Sequence, residues 1–275
     1  MNKKFLGVMI VGILMICAVV GYSYSPDNTV VAAETNDDTK LIVGFDAEFP
    51  PYGYKDDKGE YIGFDLDLAE EVCKRNGWTL VKQPIDWDAK DSELNSGTID
   101  CIWNGFSITE DRKDKYTWSE PYVNMNQVII VKKDSGISKL DDLKDKQVET
   151  QKESSALSAL EGDNKTIAAN FKQLVQVADY NTAFNDLESG VCDAIAMDYN
   201  TAKYQLSKHG EDKYIILDDI ITTEQYGIGF KLNNNDLKDK VQSTLNEMQK
   251  DGTVAKIAEK YSEYGVPESL INNTK

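Results

Sequence analysis

From residue 41 onward, short apolar runs alternate with stretches of helical period, and this alternation restricts the chain to an α/β architecture more tightly than any other feature. Residues 41–45 (LIVGF) suit a buried strand, which Asp46 and the Pro50-Pro51 pair end because proline has no amide to give to a ladder. A turn at 56–59 and a short strand at 60–63 follow. Then the spacing changes: Leu66, Leu68, Ala69, Val72 and Cys73 share one helical face, Asp65 and Asp67 suit the positive N-terminus, and Gly77 is placed to stop the helix. The pattern continues with a strand at 79–83, a helix at 88–96 and a strand at 99–103. After a strand at 127–132, a second series places strands at 147–150, 174–177 and 193–197 between helices starting at Ser155 and covering 182–189. A strand at 226–231 and helices at 236–250 and 253–263 close the chain. Apolar strands around 122–132 and 222–231 bracket the second series without helices between. They suit two crossover strands joining two α/β lobes around a ligand cleft, with lobe 1 at 41–127 and 226–275 and lobe 2 at 128–225.

The N-terminus adds a location. Lys3 and Lys4 precede an uncharged run over residues 5–22, the order of a signal peptide or a single membrane anchor, and both place the rest of the chain outside the cytoplasm. Cleavage after Val31-Ala32-Ala33 and lipidation of Cys17 are competing fates for a leader at 1–33. Residues 34–40, the end of a polar tether, have no apolar periodicity and read as a linker. Without residues 1–33, 28 basic and 46 acidic side chains remain, so the net charge is −18, which argues against nucleic acid as a partner. Cys73, Cys101 and Cys192 show no CxxC spacing and read as small buried hydrophobes; a Cys73–Cys101 bridge is the alternative. No cofactor or metal is expected.

Residues 104–112, NGFSITEDR, set a glycine, hydroxyls and a guanidinium directly after a strand. The ordinary reading is a surface loop in which Arg112 pairs with Glu110 or Asp111. Similar polar groups follow other strands: Asp46, the Gln151–Ser155 stretch and Asp198, each with a turn or capping role of its own. Together they supply the parts that hold a zwitterion. Arg112 can take a carboxylate bidentately with help from Ser107, amides at the helix beginning near Ser155 attract an anion, and Asp198 offers the opposite charge. One such charge pair at ~4 Å in a medium of effective dielectric constant ~20 gives about 4 kcal/mol before desolvation. Phe49, Tyr52 and Trp87 are the aromatic candidates for a ligand wall, Trp87 standing between Asp86 and Asp88.

The motifs FDAEFPPYGY, GEYIGFDLDLAEEV, IDWDA, GTIDCIWNGFSITEDRKDKYTWSEPY, LDDLKDKQVETQKESSA and SGVCDAIAMD occur in an order that resembles the extracytoplasmic solute-binding proteins of polar amino acid ABC transporters, over about residues 40–265. The resemblance implies the two-lobed type II periplasmic-binding-protein fold and a monomer that is not an enzyme, binds a free L-amino acid and hands it to permease subunits. It implies that Arg112, Ser107 and Ser155 hold the α-carboxylate, that Asp198 and the Gly105 carbonyl hold the α-ammonium, and that Phe49 and Trp87 sandwich the side chain. Asp46, Asn104, Gln151 and Glu153 would lie near its far end. Where relatives often carry a Gln-Gly-Thr-Thr-like run, this chain has Lys152-Glu153-Ser154-Ser155; the acid at 153, with Asp46, favours arginine or lysine over cystine or glutamine. A cyclohexadienyl- or prephenate-type dehydratase with Glu153 as its acid, and a ligand-sensing module, are the alternatives on the same fold.

Overall fold

The structure, a computed structural model, describes residues 40–271. The leader, the Cys17 site and all of the 34–40 linker but Lys40 lie outside the described residues. Strands β1 (Lys40–Phe45), β2 (Glu48–Phe49), β3 (Gly53–Lys55) and β4 (Tyr61–Ile62) precede helix α1 (Phe64–Asn76). Strand β5 (Thr79–Pro84), a 3₁₀ turn at Trp87–Ala89, helix α2 (Lys90–Ser96) and strands β6 (Cys101–Ile102) and β7 (Tyr116–Trp118) complete the first series. The second runs through β8 (Val123–Lys132), β9 (Gln147–Gln151), α3 (Ser155–Glu161), α4 (Lys165–Ala168), β10 (Gln173–Val177), α5 (Tyr180–Ser189), β11 (Ala194–Asp198), α6 (Tyr199–His209) and β12 (Tyr214–Tyr226). Strand β13 (Gly229–Lys231) and helices α7 (Asn235–Lys250), α8 (Thr253–Ala258) and α9 (Val266–Ser269) follow.

Two five-stranded sheets result, ordered β5-β1-β6-β13-β7 and β10-β9-β11-β8-β12, with a small β2-β3-β4 sheet beside them. In each large sheet three neighbouring strands are parallel and the rest antiparallel. The chain passes from the first sheet to the second between Trp118 and Val123 and returns between Tyr226 and Gly229. The two passages lie side by side: Tyr122 N donates to Tyr226 O at 3.0 Å and Ser119 N to Ile228 O at 3.0 Å. This is a two-lobed type II architecture, with parallel strands of both sheets pointing their C-terminal ends toward the region between the lobes.

The expected strand–helix pattern holds where apolar spacing is regular. Leu41, Val43 and Phe45 of β1 are fully buried, and so are Leu66, Ala69 and Val72 of α1, each of these side chains larger than alanine adding about 1.5–3 kcal/mol over exposure. Gly77 ends α1 in the left-handed region, its amide bonding back to the last turn. The strand expected at 99–103 shortens to β6, although the Asp100 and Trp103 amides still donate to β1 carbonyls. The strand expected at 226–231 is two elements: β12 starts as early as Tyr214, and a register shift between Ile216 and Ile220 expels the exposed pair Asp218 and Asp219. The last expected helix breaks after Ala258, where Tyr261 leaves helical geometry. Cys73, Cys101 and Cys192 are all free and buried, as the packing reading of them required.

Gly63 and Gly97 separate two costs of a side chain at positive φ. Gly63 has φ 143° and a β-carbon there would lie 2.2 Å from the Tyr52 carbonyl, whereas Gly97 has φ 82° and nothing within 4 Å. Urea unfolding should therefore show Gly63→Ala destabilising by roughly 2–4 kcal/mol and Gly97→Ala by only about 1 kcal/mol.

Candidate functional site

The loop after β6 is shaped by one glycine. Gly105 has φ 54°, and a β-carbon there would meet the Phe49 ring at 2.6 Å. Its amide donates to the Asp65 carboxylate at 2.6 Å, and the other Asp65 oxygen accepts from the Tyr122 hydroxyl at 2.8 Å. Asp65 stands in the first turn of α1 as expected, but it is also fully buried, burial pushes it up to about 7, and it ties the loop to the passage between lobes. The signal was available: an acid between Phe64 and Leu66 at the head of an apolar face. Beyond Gly105, Ser107 pairs with Tyr226, with Ile108 N donating to Gln225 O at 2.8 Å and Gly227 N to Phe106 O at 3.0 Å.

Arg112 settles the loop's character. It is 4 % exposed, its guanidinium lies 5.1 Å from the Phe106 ring centroid, and Nη1 donates to the Ser107 carbonyl at 3.3 Å. Nη2 donates to the Glu153 carbonyl of the other lobe at 2.5 Å. Neither Glu110 nor Asp111 pairs with it: Glu110 bonds Lys113, and among the described residues Arg112 belongs to no ion pair. A guanidinium this buried without a carboxylate is costly to the free protein.

Across the cleft, β11 ends in Asp198, which is 3 % exposed. It stands at the head of α6, but its side chain makes no capping bond. One oxygen instead accepts from Gln127 Nε2 at 2.6 Å and from the Tyr226 hydroxyl at 2.5 Å, while burial raises the carboxyl to about 7. Ser155 Oγ accepts from Ser107 Oγ at 3.1 Å and from Gln127 Nε2 at 3.0 Å. The helix-capping duty falls to its neighbour Ser154, whose Oγ accepts from Leu157 N. Gln127 and Tyr226 are site supports that sequence reasoning missed; both lie on strands read only as apolar crossings.

Arg112, Ser107, Gly105, Asn104, Phe49 and Trp87 from one lobe surround a small cavity, closed from the other lobe by Gln151, Ser154, Ser155 and Asp198. Asn104 is 1 % exposed; its Oδ1 accepts from Asp46 N at 3.2 Å, and its Nδ2 has no hydrogen-bond partner among the described residues. Of the candidates named from sequence, Asp46 and Glu153 do not line this cavity. Asp46 joins its edge through Gln151 Nε2, which donates to it at 2.6 Å, and burial raises it to about 6. The Glu153 side chain is 61 % exposed and turns to Lys90, so only its carbonyl faces the site. Tyr52 is fully buried, its hydroxyl donating to Asn200 at 3.1 Å; it is core, not ligand wall. Next to the closed cavity and sharing Trp87 with it lies a larger open one, walled by Asp46, Glu48, Asp86, Asp88, Glu93 and Asp179 against Lys152.

Residues 41–264 match the family of bacterial extracellular solute-binding proteins, family 3. The chain belongs to that family. Among curated relatives, it is 30% identical over 229 residues to the L-cystine-binding protein TcyJ of Escherichia coli, covering 80% of this chain and 82% of that one. It is 28% identical to the lysine/arginine/ornithine-binding periplasmic protein of Escherichia coli, over 92% of this chain and 97% of that one. A solved substrate-binding protein of an ABC uptake transporter from Streptococcus pneumoniae, with histidine bound, superposes with a TM-score of 0.79 at 33% identity, over 82% of this chain and 92% of that one. An ancestral arginine-binding protein bound to arginine gives 0.75 at 36% identity, over 81% and 98%. Among the described residues no helix is long and apolar enough to cross a membrane.

The raised Asp198 carboxyl has a stability consequence. Between about pH 4 and pH 7 the unfolded chain has released a proton that folded Asp198 keeps, so its contribution to stability falls as pH rises through that window and the penalty is complete above about 7. Ligand-free Asp198→Asn should therefore unfold in more urea than the parent at pH 8, by on the order of 1–4 kcal/mol, with the gap closing near pH 4.

Proposed function

We propose that the cleft binds a free L-amino acid, with a cationic side chain preferred, and delivers it outside the cytoplasm to the permease subunits of an ABC transporter. The observation that carries this reading is Arg112, buried and without a carboxylate, facing Asp198 across a small closed cavity. Arg112, Ser107 and Ser155 would take the α-carboxylate, while Asp198 and the Gly105 carbonyl would take the α-ammonium. Phe49 and Trp87 would enclose the side chain, with Asn104 and Gln151 beyond them. The cationic preference rests on the open neighbour cavity, where six carboxylates face one lysine and the shared Trp87 leads outward from the zwitterion site. Asp46, at the junction, replaces Glu153 as the acid suited to a cationic terminus. The lysine/arginine/ornithine-, arginine- and histidine-binding relatives support the same preference, while the cystine-binding relative keeps cystine in the test.

A dehydratase reading has less support. Its acid, Glu153, is turned to Lys90, and His209, the one histidine of the sequence, stacks on Phe184 at 4.8 Å, in lobe 2 and outside the cavity. A similar ancestral protein described as a precursor of cyclohexadienyl dehydratase is itself described as amino acid-binding.

Calorimetry of ligand-free protein against the twenty amino acids and cystine should find arginine or lysine bound most tightly, with Arg112→Ala weakening that binding at least ~100-fold. Asp46→Asn should reduce the preference for arginine over glutamine about 5- to 20-fold while leaving glutamine affinity within about 3-fold. No binding of any amino acid would defeat the reading, and tight cystine with no arginine would defeat the cationic preference alone.

A further inference from the structure

Lys90 opens α2 and is 2 % exposed, a rare position for an ammonium group. Among the described residues its one ion-pair partner is Glu153 of the other lobe, Nζ to Oε2 at 3.3 Å. Nζ also lies 3.4 Å from the Trp87 carbonyl and 5.3 Å from the Trp87 ring centroid. Burial, with the Arg112 charge close by, lowers its pKa.

Glu153 is correspondingly unusual. Its φ of 55° places it in the left-handed region, a position that costs a residue with a β-carbon about 1–2 kcal/mol. In that conformation its carbonyl accepts from Arg112 Nη2 at 2.5 Å and from Trp87 Nε1 at 3.3 Å. Three donors of lobe 1 thus converge on one residue of lobe 2, two on its main chain and one on its side chain. A glycine would adopt this φ freely but would offer nothing for Lys90 to hold.

We propose that Lys90 is a positioning residue for ligand binding: by pairing with the Glu153 carboxylate across the cleft, it holds the Glu153 carbonyl against Arg112 and Trp87 and so fixes the guanidinium and the indole that face the guest. The proposal rests on the amino acid reading of the cleft for its ligand, and on the geometry alone for the positioning. Lys90 acts through Glu153, so the two side chains form one unit and their loss counts once.

The test is a double-mutant cycle of Lys90→Met and Glu153→Gln on the full chain, read in two ways. L-Arginine affinity by calorimetry should fall about 5- to 20-fold in each single variant. The double variant should lose no more than the worse single, and Lys90→Arg should recover affinity to within about 3-fold of the parent. The Trp87 indole N–H resonance, assigned by its loss in Trp87→Phe, should move in the same direction in both single variants. Additive losses, or an indole resonance that neither variant moves, would overturn the proposal. Failure of the parent to bind any amino acid would defeat the amino acid reading instead, and the indole resonance would still decide whether Lys90 positions Glu153.

Discussion

A guanidinium held out of water with no carboxylate beside it is the constraint around which this cleft is organised. Arg112 has the ring of Phe106 under it and two carbonyls within hydrogen-bond reach, one from each lobe. These satisfy part of its donor set and none of its charge. A carboxylate arriving between the lobes would supply the missing charge together with bidentate geometry, so the same burial that burdens the free protein would favour the proposed guest. Asp198 is the counterpart: a carboxyl whose ionisation burial opposes and an ammonium group would restore.

The two charges belong to different sheets, and the passages between the lobes keep them in register. Tyr226 ends β12 and pairs through its main chain with Ser107 of lobe 1, while its hydroxyl donates to Asp198 of lobe 2. Asp65 works similarly from inside lobe 1, holding the Gly105 amide and the Tyr122 hydroxyl at once. Tyr226 thus links the loop that carries Ser107 and Arg112 to the carboxylate at the end of β11. Contacts across the cleft, from Gln151 to Asp46 and from Ser107 to Ser155, favour the closed arrangement, which a ligand would select and stabilise.

Much of the fold was legible because apolar spacing reports which face of an element is buried. The strand at 41–45 and the helix ended by Gly77 follow from spacing and a stop signal alone. Where β12 begins was hidden, because Asp218 and Asp219 interrupt the apolar run and only a bulge removes them from the ladder. Arg112, Ser107, Ser155 and Asp198 were legible as strand-end polar groups that together match a zwitterion, and the structure brings them around one cavity. Glu153 and Tyr52 were not, because a residue's place in the chain does not say whether its side chain or its carbonyl faces a cleft. Gln127 was hidden for a related reason: nothing in an apolar crossing strand indicates that its one amide reaches both Ser155 and Asp198.

Charges from the two lobes are proposed to neutralise the two ends of one small guest, which a crystal structure of the protein grown with L-arginine would reveal. The guest's carboxylate oxygens should lie about 2.7–3.0 Å from the Arg112 guanidinium and its α-ammonium at a similar distance from the Asp198 carboxylate. A guest seated elsewhere, or one whose carboxylate and ammonium both contact a single lobe, would contradict it.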